Sequence, residues 1–322
     1  MYIDGLVSVV MPTYKRSSML SRAINSAVCQ TYKNIEVLVV DDNQPGDEYS
    51  KEVHKLIDEL SYPQVRLITQ PKHINGAAAR NAGIRAAKGE YITFLDDDDL
   101  FFPTKIETQV KVLSSKDSSC GGVSCLKIFY KDKTLTKISE SWVPSKHQSF
   151  DVMAKDLNIQ TCTVLLRRKC LDETGYFNPN LKRHQEVQLM SYFTDKFRID
   201  LIDEVLVVID SSDLTNRPSL EKLTEYKQDF FTAIEPLLNK YSDKDKQYVY
   251  LNHRTELAWV KFRDINRLSG IWMLLKCFSS SKVITSFLKR LFEKSSGVNR
   301  LKKYDKKEFV LRLIDGQFPK LN

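Results

Sequence analysis

Four consecutive carboxylates, Asp96, Asp97, Asp98 and Asp99, close the stretch Gly89-Glu-Tyr-Ile-Thr-Phe-Leu-Asp-Asp-Asp-Asp-Leu100. Adjacent negative charges repel one another, so such a cluster calls for a compensating cation or a functional reason. Hard carboxylate oxygens suit Mg2+ or Mn2+, above all where the metal also holds substrate phosphates. An acidic surface turn is the alternative, and it accounts for most charge runs. Here Tyr91–Leu95 before the run and Leu100, Phe101 and Phe102 after it are apolar. That places the carboxylates at the edge of a core and favours the metal.

The elements that must position them are legible on both sides. Leu6–Met11 reads as an apolar strand closed by Pro12, Thr13 and Tyr14, followed by a helix capped by Ser17 or Ser18 and running to about Cys29. Ile35–Val40 is a second buried strand ending in Asp41 and Asp42. Glu48–Leu60 has helical spacing, and Val65–Ile68 is a third strand. After Gly76 the small residues of 77–87 form a helix able to pack close to a sheet, and the Tyr91 strand follows. Strand and helix alternate four times, which predicts a doubly wound, mainly parallel sheet. In such a sheet the three polar strand ends share one edge, where ligands bind. Each end taken alone is an ordinary loop; the three together favour a nucleotide crevice.

Further on, the pattern predicts a helix through Ile106, Val110 and Leu113, strands at Val123–Tyr130, Thr163–Leu166 and Leu201–Ile209, and a helix opening at Leu181. Residues 131–160, with Trp142 and His147, have weak periodicity and read equally as an acceptor loop or plain surface. From about Leu220 the texture is helical. Phe230, Ile234, Leu237 and Leu238 form one stripe, and Leu257, Val260, Ile265 and Leu268 a second. Trp259 and Trp272 are expected to pack these helices.

With 322 residues, 42% hydrophobic and 28% charged, the chain has the composition of a soluble globular protein. Six scattered cysteines without a C-x-x-C pair argue against a zinc site or disulfide framework and suit a reducing cytoplasm. No secretory signal is expected at the N-terminus, and no run is long enough to span a bilayer. Net charge is +8. Residues 276–307 hold ten bases against two acids, which is +8 by itself, so the excess is a C-terminal property. Residues 271–292 alternate apolar and basic stretches. A helix pair at an anionic membrane surface and core-packed helices with a solvated basic face both fit that pattern.

The ordered set Val9-Val-Met-Pro-Thr-Tyr14, Val39-Val-Asp-Asp42, Gly76-Ala-Ala-Ala-Arg-Asn-Ala-Gly83, Gly89 to Asp99 and Arg183-His-Gln-Glu186 resembles glycosyltransferase family 2, the inverting enzymes of the GT-A nucleotide-diphospho-sugar transferase fold. The resemblance covers roughly residues 6–219. It implies a catalytic domain over 1–219, with the basic helical region 220–322 outside it, free for membrane docking or oligomerisation. It also implies that Pro12, Thr13, Tyr14 and Asp42 hold the nucleoside, with Arg80 lining the same pocket. Asp98 becomes the expected ligand of Mn2+ or Mg2+, and Asp96 or Asp97 lies near the ribose. Asp99 and His184 would orient donor or acceptor, Glu186 would be the catalytic base, and Arg217 would clamp the diphosphate. Many relatives carry Asp where this chain has Glu186. Apart from the resemblance, Glu186 is equally an acid favoured by a helix N-terminus, and Arg217 a surface-loop residue.

The expected protein is a cytoplasmic, metal-dependent hexosyl- or N-acetylhexosaminyltransferase using a nucleotide sugar, most naturally a UDP-sugar. Its acceptor would be a saccharide, lipid-linked if the basic helices rest on the inner face of the membrane, as in O-antigen or capsule assembly. A sugar nucleotidyltransferase would need an early Gly-rich phosphate loop, which 12–18 does not supply. A dinucleotide oxidoreductase lacks G-x-G-x-x-G after its first strand. A basic module binding nucleic acid or membrane leaves Asp96–Asp99 unexplained, since phosphate backbones would be repelled there, and no nucleic-acid partner is expected.

Overall fold

The computed structural model describes residues 2–132, 134–212, 218–278 and 280–318. Its first part repeats a strand–helix unit: β1 (Ile3–Thr13), α1 (Ser17–Val28), β2 (Ile35–Asp41), α2 (Glu48–Leu60), β3 (Val65–Thr69), α3 (Gly76–Ala86) and β4 (Gly89–Phe94). Next come β5 (Leu100–Phe101), α4 (Lys105–Ser114), β6 (Cys120–Lys131), β7 (Thr134–Ile138) and α5 (Gln148–Met153). A single 3-10 turn leads into β8 (Val164–Arg167), α6 (Arg168–Thr174), α7 (Gln185–Lys196) and β9 (Arg198–Asp210). Beyond them lie α8 (Leu220–Leu238), α9 (Asp243–Asp264), α10 (Arg267–Cys277), α11 (Ser281–Lys303) and α12 (Lys307–Ile314).

The strands form one sheet in the order β3-β2-β1-β4-β8-β6-β9-β5, with β7 paired to β6. β3, β2, β1 and β4 are parallel, as alternation predicts. The second half departs from that expectation. β8 runs antiparallel between β4 and β6, and β5 antiparallel to β9. β8 is reached from β7 through residues 139–163, which contain α5 and the 3-10 turn, and it enters the sheet between β4 and β6.

Both faces of the sheet are covered. Val7, Val9 and Met11 point into a core with α1, α2 and α4, whereas Val10, Leu38 and Val40 face α3, α6 and α7. Each such side chain, fully buried, contributes roughly 1.5–3 kcal/mol. The small-residue helix α3 does pack close: a Cβ added at Gly83 would lie 2.4 Å from Val10 Cγ1.

Two helix starts differ from the sequence reading. Arg16, not Ser17 or Ser18, occupies the N-cap of α1, without a side-chain capping bond. α7 begins at Gln185 rather than Leu181, because His184 sits at its N-cap with φ +60°, a left-handed conformation that cannot continue a helix backwards.

The C-terminal helices share cores with the α/β part. The Phe230, Ile234, Leu237 and Leu238 stripe is buried with Met153 of α5 and Val249 of α9. Leu301, Val310, Leu313 and Ile314 join the core of α1 and β5, where Arg22 Nη1 also donates to Ile314 O at 2.9 Å. The second predicted stripe breaks. Leu257 and Val260 are nearly buried, but α9 ends at Asp264 and leaves Ile265 and Leu268 exposed. Trp259 and Trp272, expected to pack the helices, are 52% and 53% exposed; Trp259 stacks on Phe262 with ring centroids 5.5 Å apart, and Lys276 Nζ lies over the Trp272 ring at 4.3 Å. No helix among the described residues is long and apolar enough to cross a membrane.

Candidate active site

The parallel register brings the polar strand ends together. Thr13 pairs with Asp41 across β1 and β2, and Val10 with Phe94 across β1 and β4. Past Phe94 the four aspartates turn between β4 and β5, closed by Asp99 N donating to Asp96 O at 3.1 Å. Each carboxylate has its own neighbour. Asp96 accepts from Arg80 Nη2 at 2.5 Å and Asp97 from Thr13 Oγ1 at 2.8 Å. Asp98 pairs with Arg16, and Asp99 accepts from the backbone of Asp210 at 3.1 Å. Burial, reinforced by the Asp98 charge, pushes Asp97 up to about 7. Asp98 rises to about 6 through burial and Asp96, although Arg16 opposes the shift. Burial and the Asp98 charge raise Asp99 well above the usual carboxylate range. A compensating cation would draw all three back towards the ionised form.

Among the described residues no three His, Cys, Asp or Glu side chains converge as a metal cage. The oxygen-only set of Asp96, Asp98 and Asp99 fits another arrangement: a hard divalent ion on one or two carboxylates, completed by ligand phosphates.

The acids ending β2 divide their work. Asp41 is fully buried and consumed by Ser50 Oγ at 2.6 Å and the Asn43 backbone and amide at 3.0 and 2.7 Å. Asp42, also buried, accepts from Gln70 Nε2 at 2.9 Å and pairs with His73 Nδ1 at 3.0 Å. Burial raises its carboxyl above the usual range. His73 also stacks on Tyr14, with ring centroids 3.9 Å apart. Pro12 lies in β1 beside Val40.

A recess of about 300 Å3 is lined by Arg80, Asp96, Asp98, Asp99, Asp210 and Glu186, with Gln160, Thr161, Cys162 and Ile209. A much larger cleft of about 1560 Å3 adjoins it, and Gln160 and Glu186 line both. Of the span 131–160, which the sequence left between acceptor loop and plain surface, residues from Lys137 to Gln160 supply much of the cleft wall, Trp142 and Lys155 among them. The opposite wall comes from α11. Glu186, in the first turn of α7, lies within electrostatic reach of Arg80.

His184 is buried against Phe230 and His253, with ring centroids 5.3 and 5.8 Å away. Burial and the Lys227 charge push it down to about 3, so it is neutral, and its Nε2 has no hydrogen-bond partner among the described residues. Behind it Glu256 bridges Lys155 and Lys227, both at 2.6 Å. Despite burial, those two ammoniums hold the Glu256 carboxyl well below its usual range.

The structure thus brings Arg80, Asp96, Asp98, Asp99 and Glu186 to one recess, with Thr13 bonded to Asp97 of the same turn; Tyr14 and Asp42 meet at His73. Arg217 lies outside the described residues. Sequence reasoning missed Arg16, His73, Gln160 and Asp210. Asp210 carried a signal, being an acid at the end of an apolar strand; the other three did not.

A crevice of this kind on a sheet of this order defines a nucleotide-sugar transferase of the GT-A fold. The family model for glycosyl transferase family 2 matches residues 8–175, just over half of the chain, which therefore belongs to that family and is a glycosyltransferase. An uncharacterised glycosyltransferase of Rickettsia typhi is 32% identical over 228 residues, 69% of each chain. The UDP-Glc:alpha-D-GlcNAc-diphosphoundecaprenol beta-1,3-glucosyltransferase WfgD of Escherichia coli is 30% identical over 173 residues, 54% of this chain and 64% of its own. Among solved structures, the mannosyltransferase PcManGT of Pyrobaculum calidifontis, in complex with GDP-Man and Mn2+, superposes with a TM-score of 0.54 at 16% identity over 96% of this chain and 84% of its own.

Proposed function

We propose that this glycosyltransferase moves a sugar from a UDP-sugar to a lipid-linked saccharide, with inversion at the anomeric carbon, in surface-polysaccharide assembly. The observation that carries the reading is the shared wall: Glu186 borders both the aspartate recess and the large cleft. The recess takes the donor and the cleft the acceptor. In this reading residues 1–219 hold the donor, and the helices of 220–322 complete the acceptor side. The donor and acceptor named for the Escherichia coli relative support the choice of substrates.

Tyr14 and Asp42 hold the base, Pro12 and Thr13 the nucleoside edge, and Arg217 the diphosphate. Thr13 fixes Asp97, Arg80 fixes Asp96, and Asp99 braces the turn against β9. Asp98 would hold Mn2+ or Mg2+, and such an ion, when bound, would supply Lewis-acid neutralisation of the departing diphosphate. The acceptor hydroxyl forms the new C–O bond as the sugar–phosphate bond breaks, and the electron pair leaves with UDP. Glu186 takes the hydroxyl proton. His184, neutral at the α7 N-cap, holds the acceptor end of that helix in place.

The exposed faces of α10 and α11 favour peripheral docking on an anionic bilayer from the cytoplasmic side. Leu268, Ile271, Trp272, Leu275, Leu288, Leu291 and Phe292 are exposed there, amid Lys276, Lys282 and Lys289.

A panel of nucleotide sugars assayed for hydrolysis, with Mn2+ and with EDTA, tests the donor side. UDP-sugar turnover that EDTA abolishes is expected. Failure to bind or turn over any nucleotide sugar with Mn2+ present would sink the reading.

A further inference from the structure

The cleft contains a cation that the donor chemistry does not use. Arg290 of α11 is half-buried on its wall and is held by two neutral oxygens, Asn252 Oδ1 at 3.1 Å and Thr255 Oγ1 at 3.4 Å. Asn252 is fully buried and Thr255 nearly so, which makes the mount rigid. No carboxylate within salt-bridge distance of Arg290 occurs among the described residues. Lys155, by contrast, is matched by Glu256, and Lys289 by Glu293 at 3.7 Å. Lys282, two turns earlier on the same face, is exposed and also lines the cleft. A guanidinium fixed by neutral acceptors keeps its charge and its remaining N–H donors for a ligand, and its planar fork matches phosphate oxygens.

Residues three and four apart share a helix face, so Lys282, Ser286, Lys289, Arg290 and Glu293 present one polar, mainly cationic row of α11 to the cleft. Leu288, Leu291 and Phe292, 57%, 50% and 75% exposed, stand one or two residues from Arg290 and so on another side of the helix. The helix is seated firmly. At Gly297 a Cβ would lie 2.5 Å from Ile138 O of β7, so only glycine permits this approach.

We propose that Arg290, assisted by Lys282, forms a subsite for the diphosphate of a polyprenyl-diphosphate-linked acceptor. The saccharide then extends along the cleft to Glu186. No bond is made or broken at this subsite. The assignment rests on the reading of the large cleft as the acceptor side.

The test uses the full chain and farnesyl diphosphate as probe, with farnesol as the uncharged control, by isothermal titration calorimetry in EDTA. Arg290→Gln is expected to weaken farnesyl diphosphate binding about tenfold or more, as loss of a charge-assisted phosphate contact would. Lys282→Gln, at an exposed position that does not endanger folding, is expected to weaken it several-fold. Lys302→Gln, on the same helix but outside the cleft, should bind as the unaltered chain does. Equal affinity for farnesyl diphosphate in the Arg290 and Lys282 variants overturns the subsite, as does equal weakening by all three substitutions. UDP-glucose hydrolysis by the unaltered enzyme with Mn2+ reads the donor side separately. Hydrolysis with Arg290-independent binding removes the subsite alone; Arg290-dependent binding without hydrolysis keeps the subsite and removes the donor chemistry.

Discussion

Glu186 and Asp98 reach the same recess, one from a helix start and one from a strand end. The separate duties proposed for them give separable defects. Glu186→Gln keeps the shape and loses the base, so transfer should fall by roughly 10²–10⁴-fold while UDP binding is kept; transfer kinetics beside calorimetry would check it. Asp98→Ala should instead lose Mn2+-dependent UDP binding. Arg16 pairs with Asp98 and lies 3.7 Å from Asp97, so it competes with any added cation. Arg16→Gln is therefore expected to tighten Mn2+ binding by the free protein roughly three- to tenfold, measured by electron paramagnetic resonance without nucleotide. Unchanged or weaker Mn2+ affinity would place the ion elsewhere. At this scale the sequence showed the carboxylates because they are contiguous. It hid Arg16 and His73, whose partners lie 82 residues away for Asp98 and 31 for Asp42. Only folding brings such pairs together.

Among the elements, α4 contains an unexpected group. Lys105 is fully buried, donates to Thr93 Oγ1 at 2.5 Å and lies over the Phe101 ring at 4.0 Å. Burial lowers its ammonium from the ordinary 10.5 to about 7. Between those values the folded chain binds fewer protons than the unfolded one, so this group's contribution to stability improves as pH rises through the window. Below about 7 the cost of the buried charge is felt in full. Lys105→Met should thus raise Tm most at and below pH 7, by about 1–4 kcal/mol of stability, and the gain should shrink as pH approaches 10. Calorimetry across that range decides it, and a gain independent of pH would refute the buried-charge account. Periodicity disclosed α4 itself but could not disclose this lysine, because a basic residue at a helix start reads as solvated. Apolar runs likewise revealed the parallel strands. The antiparallel insertion of β8 was invisible, since pairing direction depends on connections that a strand's own residues do not encode.

For the whole molecule, residues 271–292 divide: Ile271, Trp272, Leu275, Leu288, Leu291 and Phe292 are exposed, whereas Val283 is buried and Met273, Leu274, Phe278, Ile284 and Phe287 are half-buried, so the docking reading rests on the exposed half. Sedimentation with anionic liposomes should show binding that weakens with salt. Replacing Trp272, Leu275, Leu288 and Phe292 by serine should reduce it at least tenfold, since each loses apolar burial worth about 1.5–3 kcal/mol when inserted. Binding that is unchanged by those substitutions would exclude docking through this face. Surface substitutions are required, because removing 271–307 outright would also take away Leu301, which belongs to the hydrophobic core shared with α1 and β5. The composition had marked this region as distinct, yet could not show that its last helix returns to the sheet.

That return has a consequence of its own. Phe309 of α12 meets Phe102, ring centroids 5.8 Å apart, only three residues beyond Asp99. Occupation of the aspartate turn that stiffens β5 should therefore be felt at the far end of the polypeptide, as slower amide exchange across 307–314 when Mn2+ and UDP are added. The final helix would serve as a built-in gauge of what the crevice holds.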